Sequence, residues 1–381
     1  MKRNVYLIAL HNFLIDFRLF APIAVLYFSK VSGSYALGMS VFSAVFLSSA
    51  LFEIPTGIMS DRIGRKWTLV LGTVAILVGV IIYASAQNYL VLVVGAVFEG
   101  FSRALYSGNN NALLHDTLEQ LGQKEAYHRF LGKVSSLFQI ASAIAAIIGG
   151  FLASYSFVLV MWLSVVPQII NVITCLFITE PKTLNKKSGN ILKDIPKAFK
   201  HLNRNKKIRR LGIARMIDLG LGNASFEFQV AFYQLLWPTW ALGIARTISN
   251  FAGAASYWIS GALIDKFKAL KILTAESLIV PSIKVLAVLV PNPASPAMMA
   301  SGSLLYGSAS VSGESLLQKE YNNRQRATLG SLISFGGSLI NALASVTIGF
   351  LADQWGIVIA LVIAQIGLMS LSLLYLSIRK L

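Results

Sequence analysis

Gly57-Ile58-Met59-Ser60-Asp61-Arg62-Ile63-Gly64-Arg65-Lys66 decides how the rest of the chain is read, because it sets Asp61, Arg62, Arg65 and Lys66 between two long apolar stretches. So brief a charged interruption reads as a hydrophilic turn between two membrane-spanning helices. Its basic residues are expected on the side where positive charge accumulates, and its glycines are expected to permit a sharp bend and close helix approach. A degraded copy, Gly261-Ala262-Leu263-Ile264-Asp265-Lys266-Phe267-Lys268, follows about 204 residues later between two further apolar runs. The chain therefore reads as a duplicated membrane protein.

Composition agrees. Hydrophobic residues make up 55% and charged residues 13% of the chain, and the mean hydropathy is +0.67, whereas an ordinary soluble domain is about a quarter charged. A spanning helix needs about 20 mostly apolar residues, so 381 residues accommodate about twelve spans. A β-barrel would show alternation over about ten residues, and here the apolar runs are continuous and longer. The net charge of +17 would point to nucleic acid in a soluble protein, but the charges lie in alternate loops, which fits a membrane surface and no nucleic-acid partner. Cys175 stands alone in an apolar run, so no intramolecular disulfide is possible. The start, Met1-Lys2-Arg3-Asn4 and the apolar residues after it, reads as a retained first helix, since no small-residue cleavage pattern follows.

The expected spans are 5–28, 35–59, 68–86, 90–114, 130–153, 156–178, 211–233, 241–263, 272–290, 296–317, 328–351 and 355–377. The set of connections that contains both termini and the loops near 62–66, 119–133, 180–210, 266–271 and 319–326 collects about 27 of the 33 Lys and Arg residues. The opposite set, Gln87-Asn88, Ser154-Tyr155, Trp237-Pro238-Thr239 and Pro291-Asn292-Pro293, carries none. Positive charge marks the cytoplasmic side, so both termini are expected there, and an even number of spans follows. The connection 180–210 divides the chain into an N-terminal six-helix bundle, 1–179, and a C-terminal one, 211–381. That basic linker reads as an orientation signal or as a site for anionic headgroups, with a short amphipathic helix over Ile191 to Leu202.

Two further correspondences run in register with the repeated turn: Asn111-Ala112-Leu113-Leu114-His115 with Glu314-Ser315-Leu316-Leu317-Gln318, and Ile148-Gly149-Gly150-Phe151-Leu152-Ala153 with Thr347-Ile348-Gly349-Phe350-Leu351-Ala352. Three matches in the same order, at offsets near 200, support two halves of parallel topology. With these residues quoted, the chain resembles the major facilitator superfamily of secondary transporters, and in particular its bacterial drug-exporter-like members. Gly57, Asp61, Arg62, Gly64, Arg65 and Lys66 match every fixed position of that family's loop between helices 2 and 3. The resemblance implies an all-α membrane protein of twelve transmembrane helices in two six-helix bundles. It also implies a central cavity opened alternately to each side, with helices 1, 4, 7 and 10 lining it. The loop is then expected to act as a cytoplasmic gate together with Glu53, Asp116, Asp265 and Glu314.

Ionisable residues inside spans are costly unless paired or hydrated, so each is a functional candidate. Asp16 and Arg18 lie in span 1, Glu99 and Arg103 in span 4, and Arg215, Asp218 and Glu227 in span 7. Residues two apart on a helix do not face each other, so Asp16 and Arg18 look to different neighbours. Glu99 with Arg103, and Arg215 with Asp218, can each close within one helix. Such pairs are structural or take part in substrate and proton coupling. Glu227 has no charged residue at i±3 or i±4 and is the first choice for proton coupling, with a partner on another helix as the alternative. Asn109, Asn110 and Asn111 form a polar run that caps or gates the cytoplasmic end of span 4.

No phosphate-binding Gly-x-x-x-x-Gly-Lys loop is present, and the four histidines lack metal-ligand spacing. No enzyme, cofactor or metal is expected. The expected function is secondary active transport, with protons as coupling ion and export of a small amphiphilic drug-like or metabolite molecule. Uptake of a sugar or organic anion is the alternative, and a membrane sensor or channel is the alternative of another class. Span 5 lacks the Gly-Pro pair common in proton-coupled drug exporters, so it lends antiport no support. The aromatics Phe98, Phe101, Tyr106, Phe226, Phe228, Phe232 and Trp258 favour an apolar substrate if they line the path. The protein is expected as a monomer in the plasma membrane, a bacterial inner membrane.

Overall fold

Backbone groups in lipid must find their hydrogen bonds within the segment that carries them, and long apolar runs of this kind settle into helices. The computed structural model describes residues 1–107, 109–123, 125, 127–181, 205–320 and 326–379, without the side chains of Ile54, Asp61, His128, Arg129, Ser135, Lys319, Arg326, Ala327, Thr328 and Arg379. In order the helices are α1 Lys2–Asp16, α2 Ala24–Ser32, α3 Tyr35–Ile63, α4 Arg65–Ala84, α5 Tyr89–Tyr106, α6 Asn109–Gln120, α7 Tyr127–Ala153, α8 Phe157–Leu163 and α9 Val165–Leu176. They continue as α10 Lys206–Ile217, α11 Asn223–Leu236, α12 Leu242–Phe267, α13 Ala269–Leu289, α14 Ser295–Ser301, α15 Ser303–Glu320, α16 Arg326–Trp355, α17 Ile357–Met369 and α18 Leu371–Arg379. A π-helical segment, Asp218–Gly222, joins α10 to α11.

Among the described residues nine helical segments are long and apolar enough to cross a membrane. The expected spans 211–233, 241–263 and 296–317 are not among them, and each has a visible reason. The first carries Arg215, Asp218 and Glu227 around the π segment, the second carries Arg246 with several hydroxyl residues, and the third carries a run of serines with Glu314. Large apolar side chains are exposed across the surface, Trp258 at 91% and Leu51 and Leu343 at 72% each. Trp258 therefore stands away from any packed site in its unit.

The chain divides into two units, one of Met1–Gly33, Val41–Lys186 and Pro238–Thr247, the other of Ser34–Ser40, Lys187–Trp237 and Ile248–Leu381. The cut differs from the expected 1–179 and 211–381, because the first residues of α3 and those leading into α12 pack within the unit of the opposite half. The residues 182–204, and with them the expected helix over Ile191 to Leu202, lie outside the described residues.

In the first unit α4 and α5 approach closely through Gly79 and Gly95. A Cβ on Gly95 would stand 2.7 Å from the Tyr83 ring, and one on Gly79 would stand 3.1 Å from the Gly95 carbonyl oxygen. Small residues at such seams let helix backbones meet in lipid. Phe28 packs on Tyr83 with ring centroids 4.9 Å apart, and the Tyr27 hydroxyl donates to the Tyr83 carbonyl at 2.7 Å. Gly149 of α7 lies against the Leu19 carbonyl, and Thr247 donates to the Ala143 carbonyl at 3.0 Å.

The second unit has its core around Ile208, Leu211, Leu273, Leu317, Leu329, Ile333, Leu371 and Tyr375. The start of α3 is fastened here. Asp353 accepts from the Tyr35 and Ala36 amides, one on each carboxylate oxygen and both at 2.8 Å, and the Tyr35 ring meets Phe228 edge-on at 5.4 Å. Phe228 and Phe232 are wholly buried in this unit, so packing accounts for both.

The two similar charged segments share a backbone feature. Gly64 caps α4 at φ 91° and ψ 163°, and Lys268, 204 positions later, caps α13 at φ 68° and ψ 141°. Lys268 is the single non-glycine residue with positive φ among the described residues.

Candidate functional site

The charged stretch from Gly57 to Lys66 is nearly all helix. α3 runs through Pro55 to Ile63, Gly64 alone leaves helical geometry, and α4 begins at Arg65. The expected hydrophilic turn is thus one residue wide. Gly64 has the positive φ that makes the bend, whereas a Cβ on Gly57 or Gly261 would meet nothing within 4 Å. Close helix approach, expected at Gly57, does not occur there among the described residues.

What holds the bend is a residue that the sequence reading left in the linker. Glu180 accepts from the Arg65 amide at 2.9 Å and from the Lys66 amide at 2.7 Å, one on each carboxylate oxygen. Its negative charge thereby sits on the N-terminus of α4, where the helix dipole favours it. Asp116 of α6 takes the Arg65 side chain at 2.6 Å, Asn109 donates to the Arg65 carbonyl at 2.9 Å, and Ser60 donates to Asn109 at 3.0 Å. The Lys66 ammonium lies 5.2 Å over the Trp67 ring, and Arg62 is exposed. The Asp61 side chain lies outside the described residues. Of the other expected gate residues, Glu53 is half-buried, Asp265 is exposed, and Glu314 is exposed and accepts from Gln318 at 2.6 Å. None of these three joins the cluster around Glu180.

Above the bend, the first unit holds a buried charge centre. Glu99 of α5 accepts from Arg18 at 2.6 Å, from the Tyr83 hydroxyl at 3.0 Å and from Arg103 at 3.4 Å, and its side chain is only 7% exposed. A buried carboxylate is tolerable when paired and hydrogen-bonded in this way. Arg18 lies just past the end of α1, where the chain breaks from helix before resuming at Ala21, and it also donates to the Ile15 carbonyl at 3.0 Å. The Arg103 side chain is 42% exposed and lies 5.2 Å from the Phe46 ring. Asp16 sits within electrostatic reach of Arg18, Arg103 and Glu99, yet its side chain makes no hydrogen bond or ion pair with a described residue.

Below this centre runs a neutral polar strip. Asn12 accepts from the Tyr106 hydroxyl and from Asn110, both at 2.9 Å. Tyr106 is thus engaged with α1 instead of lining an apolar path, and Phe101 is stacked edge-on against Phe52 at 5.0 Å. Cys175 is buried and unoxidised, its thiol 3.3 Å from His11.

The second unit repeats the scheme with other residues. Arg215 of α10 binds Asp218, the first residue of the π segment, at 2.8 Å and donates to Ser310 of α15 at 3.1 Å. A π bulge within a span often marks a functional position, and this one is held by Asn341, which donates to the Gly220 carbonyl at 3.1 Å. Glu227 has an interaction partner in the structure, so the ground for ranking it first, a carboxylate without one, falls away.

Three ionisable residues within spans were missed: Glu276 and Lys284 on α13 in the second unit, and Arg246 on α12 in the first. Glu276 and Lys284 lie within electrostatic reach of Asp218. A census of charges inside spans 241–263 and 272–290 finds all three. His115, Asp116 and Glu119 also bring ligand atoms within 4.8 Å of one another, a grouping that histidine spacing did not reveal. Asp116 is already committed to Arg65, and the His115 ring nitrogen lies 3.3 Å from its other oxygen, so an ion pair and a hydrogen bond account for Asp116 in this trio.

Comparison with known proteins bears on this arrangement. An uncharacterised transporter of Buchnera aphidicola subsp. Schizaphis graminum is 29% identical over 38% of this chain and 36% of its own length. The inner membrane transport protein YajR of Escherichia coli is 30% identical over 27% of this chain and 21% of its own. An MFS-type efflux pump of Mycosarcoma maydis is 28% identical over 32% of this chain and 19% of its own. The matched region thus spans about a third or less of these relatives. Among solved structures, a bacterial homologue of the human lysosomal transporter Spinster superposes with a TM-score of 0.79 at 16% identity, over 99% of this chain and 96% of that one. The nucleoside transporter NupG does so at 0.76 and 17% identity, over 100% and 98%. These likenesses establish a shared helical fold of a multi-pass membrane protein. The Major Facilitator Superfamily model matches residues 7–345, and by that match the chain belongs to the major facilitator superfamily.

Proposed function

We propose that the protein is a secondary active transporter of the bacterial inner membrane that works by alternating access and couples the export of a small amphiphilic molecule to protons. In this reading twelve spans form two six-helix halves with both termini in the cytoplasm, and the protein acts as a monomer without enzymatic activity. The three segments too polar to count by composition serve as spans whose polar residues face an aqueous path. The observation that carries the proposal is the contrast between Glu99 and Asp16. Glu99 is held by three donors, while Asp16, in the same buried centre, is held by none. A carboxylate of that kind can take up and return a proton without dismantling the ion pairs that support the helices. Similarity to a fungal efflux pump supports export.

Uptake of a polar solute such as a sugar or organic anion is the second reading. It is favoured by Arg103, a cation 42% exposed although it touches Glu99, and by the fold shared with a D-xylose-proton symporter, at a TM-score of 0.72 and 11% identity over 96% of each chain. An accumulation screen over compound classes, with and without an uncoupler, separates the two readings. In proteoliposomes, Asp16→Asn is expected to keep counterflow of labelled against unlabelled substrate and to lose accumulation driven by a pH gradient. Gradient-driven accumulation at the wild-type rate in that variant refutes the coupling role. Absence of counterflow in the wild type refutes a carrier.

A further inference from the structure

The second unit contains a group of four charged side chains, in which Glu276 and Asp218 each lie within electrostatic reach of the other, of Arg215 and of Lys284. They are unequal. Asp218 is tied to Arg215 at 2.8 Å, and Arg215 is tied in addition to Ser310 at 3.1 Å, so Arg215 cannot turn to Glu276 without breaking both contacts. Glu276 makes no ion pair or hydrogen bond with any described side chain, and neither does Lys284.

We propose that Glu276 is a second proton-binding site of this protein, seated wholly within the second unit and balanced by Lys284. The two stand at i and i+8 on α13, about 12 Å apart in rise. Helical side chains lean toward the N-terminus of their helix, which brings the long Lys284 stem toward Glu276. The Lys284 stem runs beside Gly302, between α14 and α15, where a Cβ would stand in ordinary contact with Lys284 Cε at 3.5 Å. With Glu276 ionised the four charges sum to zero. When a proton from solution binds a Glu276 carboxylate oxygen, no other bond breaks, the cluster becomes +1, and Lys284 loses its counter-charge.

The groups that face this site from neighbouring elements are few. Arg215 and Asp218 come from α10 and the π segment, Tyr306 from α15 and Tyr375 from α18. α14 and α17 bring no ionisable side chain. On α15, Glu320 is engaged by Lys207 at 2.6 Å and Glu314 by Gln318. Glu276 is therefore the acid of this cluster whose protonation disturbs nothing already bonded. The inference rests on the transporter reading only for its consequence, which is that each unit sets a clamped carboxylate near one without a described partner, Glu99 with Asp16 and Asp218 with Glu276.

The test needs no substrate. The full-length chain in lipid nanodiscs is titrated with acid while infrared difference spectra follow the carboxylic-acid C=O band. The wild type is expected to show a titrating band that is lost in Glu276→Gln and kept in Asp218→Asn. Should Glu276→Gln fold poorly because Lys284 is left uncompensated, the double variant Glu276→Gln/Lys284→Gln removes both charges and is expected to lack the same band. A band undiminished in both Glu276 variants, or one lost in Asp218→Asn instead, overturns the proposal. A wild type without gradient-driven flux would refute proton-coupled transport while leaving the spectral result intact, so the two readings fail separately.

Discussion

Replacing Glu180 by alanine should loosen the first turn of α4 and little else. In the structure both carboxylate oxygens of Glu180 accept from backbone amides, Arg65 at 2.9 Å and Lys66 at 2.7 Å. These amides belong to the group that a helix leaves without an internal partner at its start. Loss of such a cap costs about 1 kcal/mol, and loss of a negative charge at a helix N-terminus costs roughly 0.3–1 kcal/mol more. The sum, roughly 1.3–2 kcal/mol, corresponds to about a 10- to 30-fold rise in local opening, since about 1.4 kcal/mol is tenfold. Hydrogen exchange followed by mass spectrometry reads this directly on a peptide that contains the Arg65 and Lys66 amides. Exchange there should accelerate by that factor in Glu180→Ala and by less in Glu180→Gln, which keeps one acceptor oxygen, while peptides near Tyr83 at the far end of α4 stay protected. Unchanged exchange at Arg65 and Lys66, or an equal acceleration along the whole helix, refutes the assignment of Glu180 as the cap.

Lys268→Gly should raise the melting temperature, because a non-glycine residue in this backbone region costs about 1–3 kcal/mol and the extra freedom of glycine in the unfolded chain offsets only part of it; a lower melting temperature contradicts the strain at φ 68°. Glu99→Gln should cost about 3–5 kcal/mol by leaving Arg18 and Arg103 without a buried counter-charge, and Glu99→Gln/Arg18→Met should recover much of it. Thermal unfolding followed by tryptophan fluorescence checks both, and a double variant no more stable than the single one argues against the Arg18 pairing at 2.6 Å. Asp61→Asn should slow transport without impairing membrane insertion, and wild-type flux in that variant would rule out a latch at this position.

Much of the plan was legible in residue order, and the reasons are local. An apolar run long enough to span a bilayer is visible in any window, and so is the clustering of basic residues on one side of it. The similar cap geometry at Gly64 and Lys268 falls within the two charged segments whose likeness the residue order shows. Pairing within one helix was legible too, since the helical period alone brings Arg215 and Asp218 to one face, where they meet at 2.8 Å.

Partners across helices were not legible. Glu99 has Arg103 one turn away on its own helix, yet its shorter contact is with Arg18, 2.6 Å against 3.4 Å. The break after Asp16 frees the Arg18 side chain to reach across, and nothing in the spacing of span 1 announces that direction. Glu180 read as the first residue of a linker because its two amide partners lie 115 and 114 positions away. Glu227 looked unpartnered because only its own helix was considered, and it is not.

By itself the sequence determined that this chain is a helical membrane protein with the loop signature of its superfamily, because apolar length and a short motif are properties of adjacent residues. The tertiary structure alone decided which carboxylates are clamped and which are free, since a charge buried in a low-dielectric bundle takes whichever partner the packing of neighbouring helices brings within reach. That packing separates Glu99 from Asp16 and Asp218 from Glu276, and it turns Glu180 from a linker residue into the cap that holds the bend at Gly64.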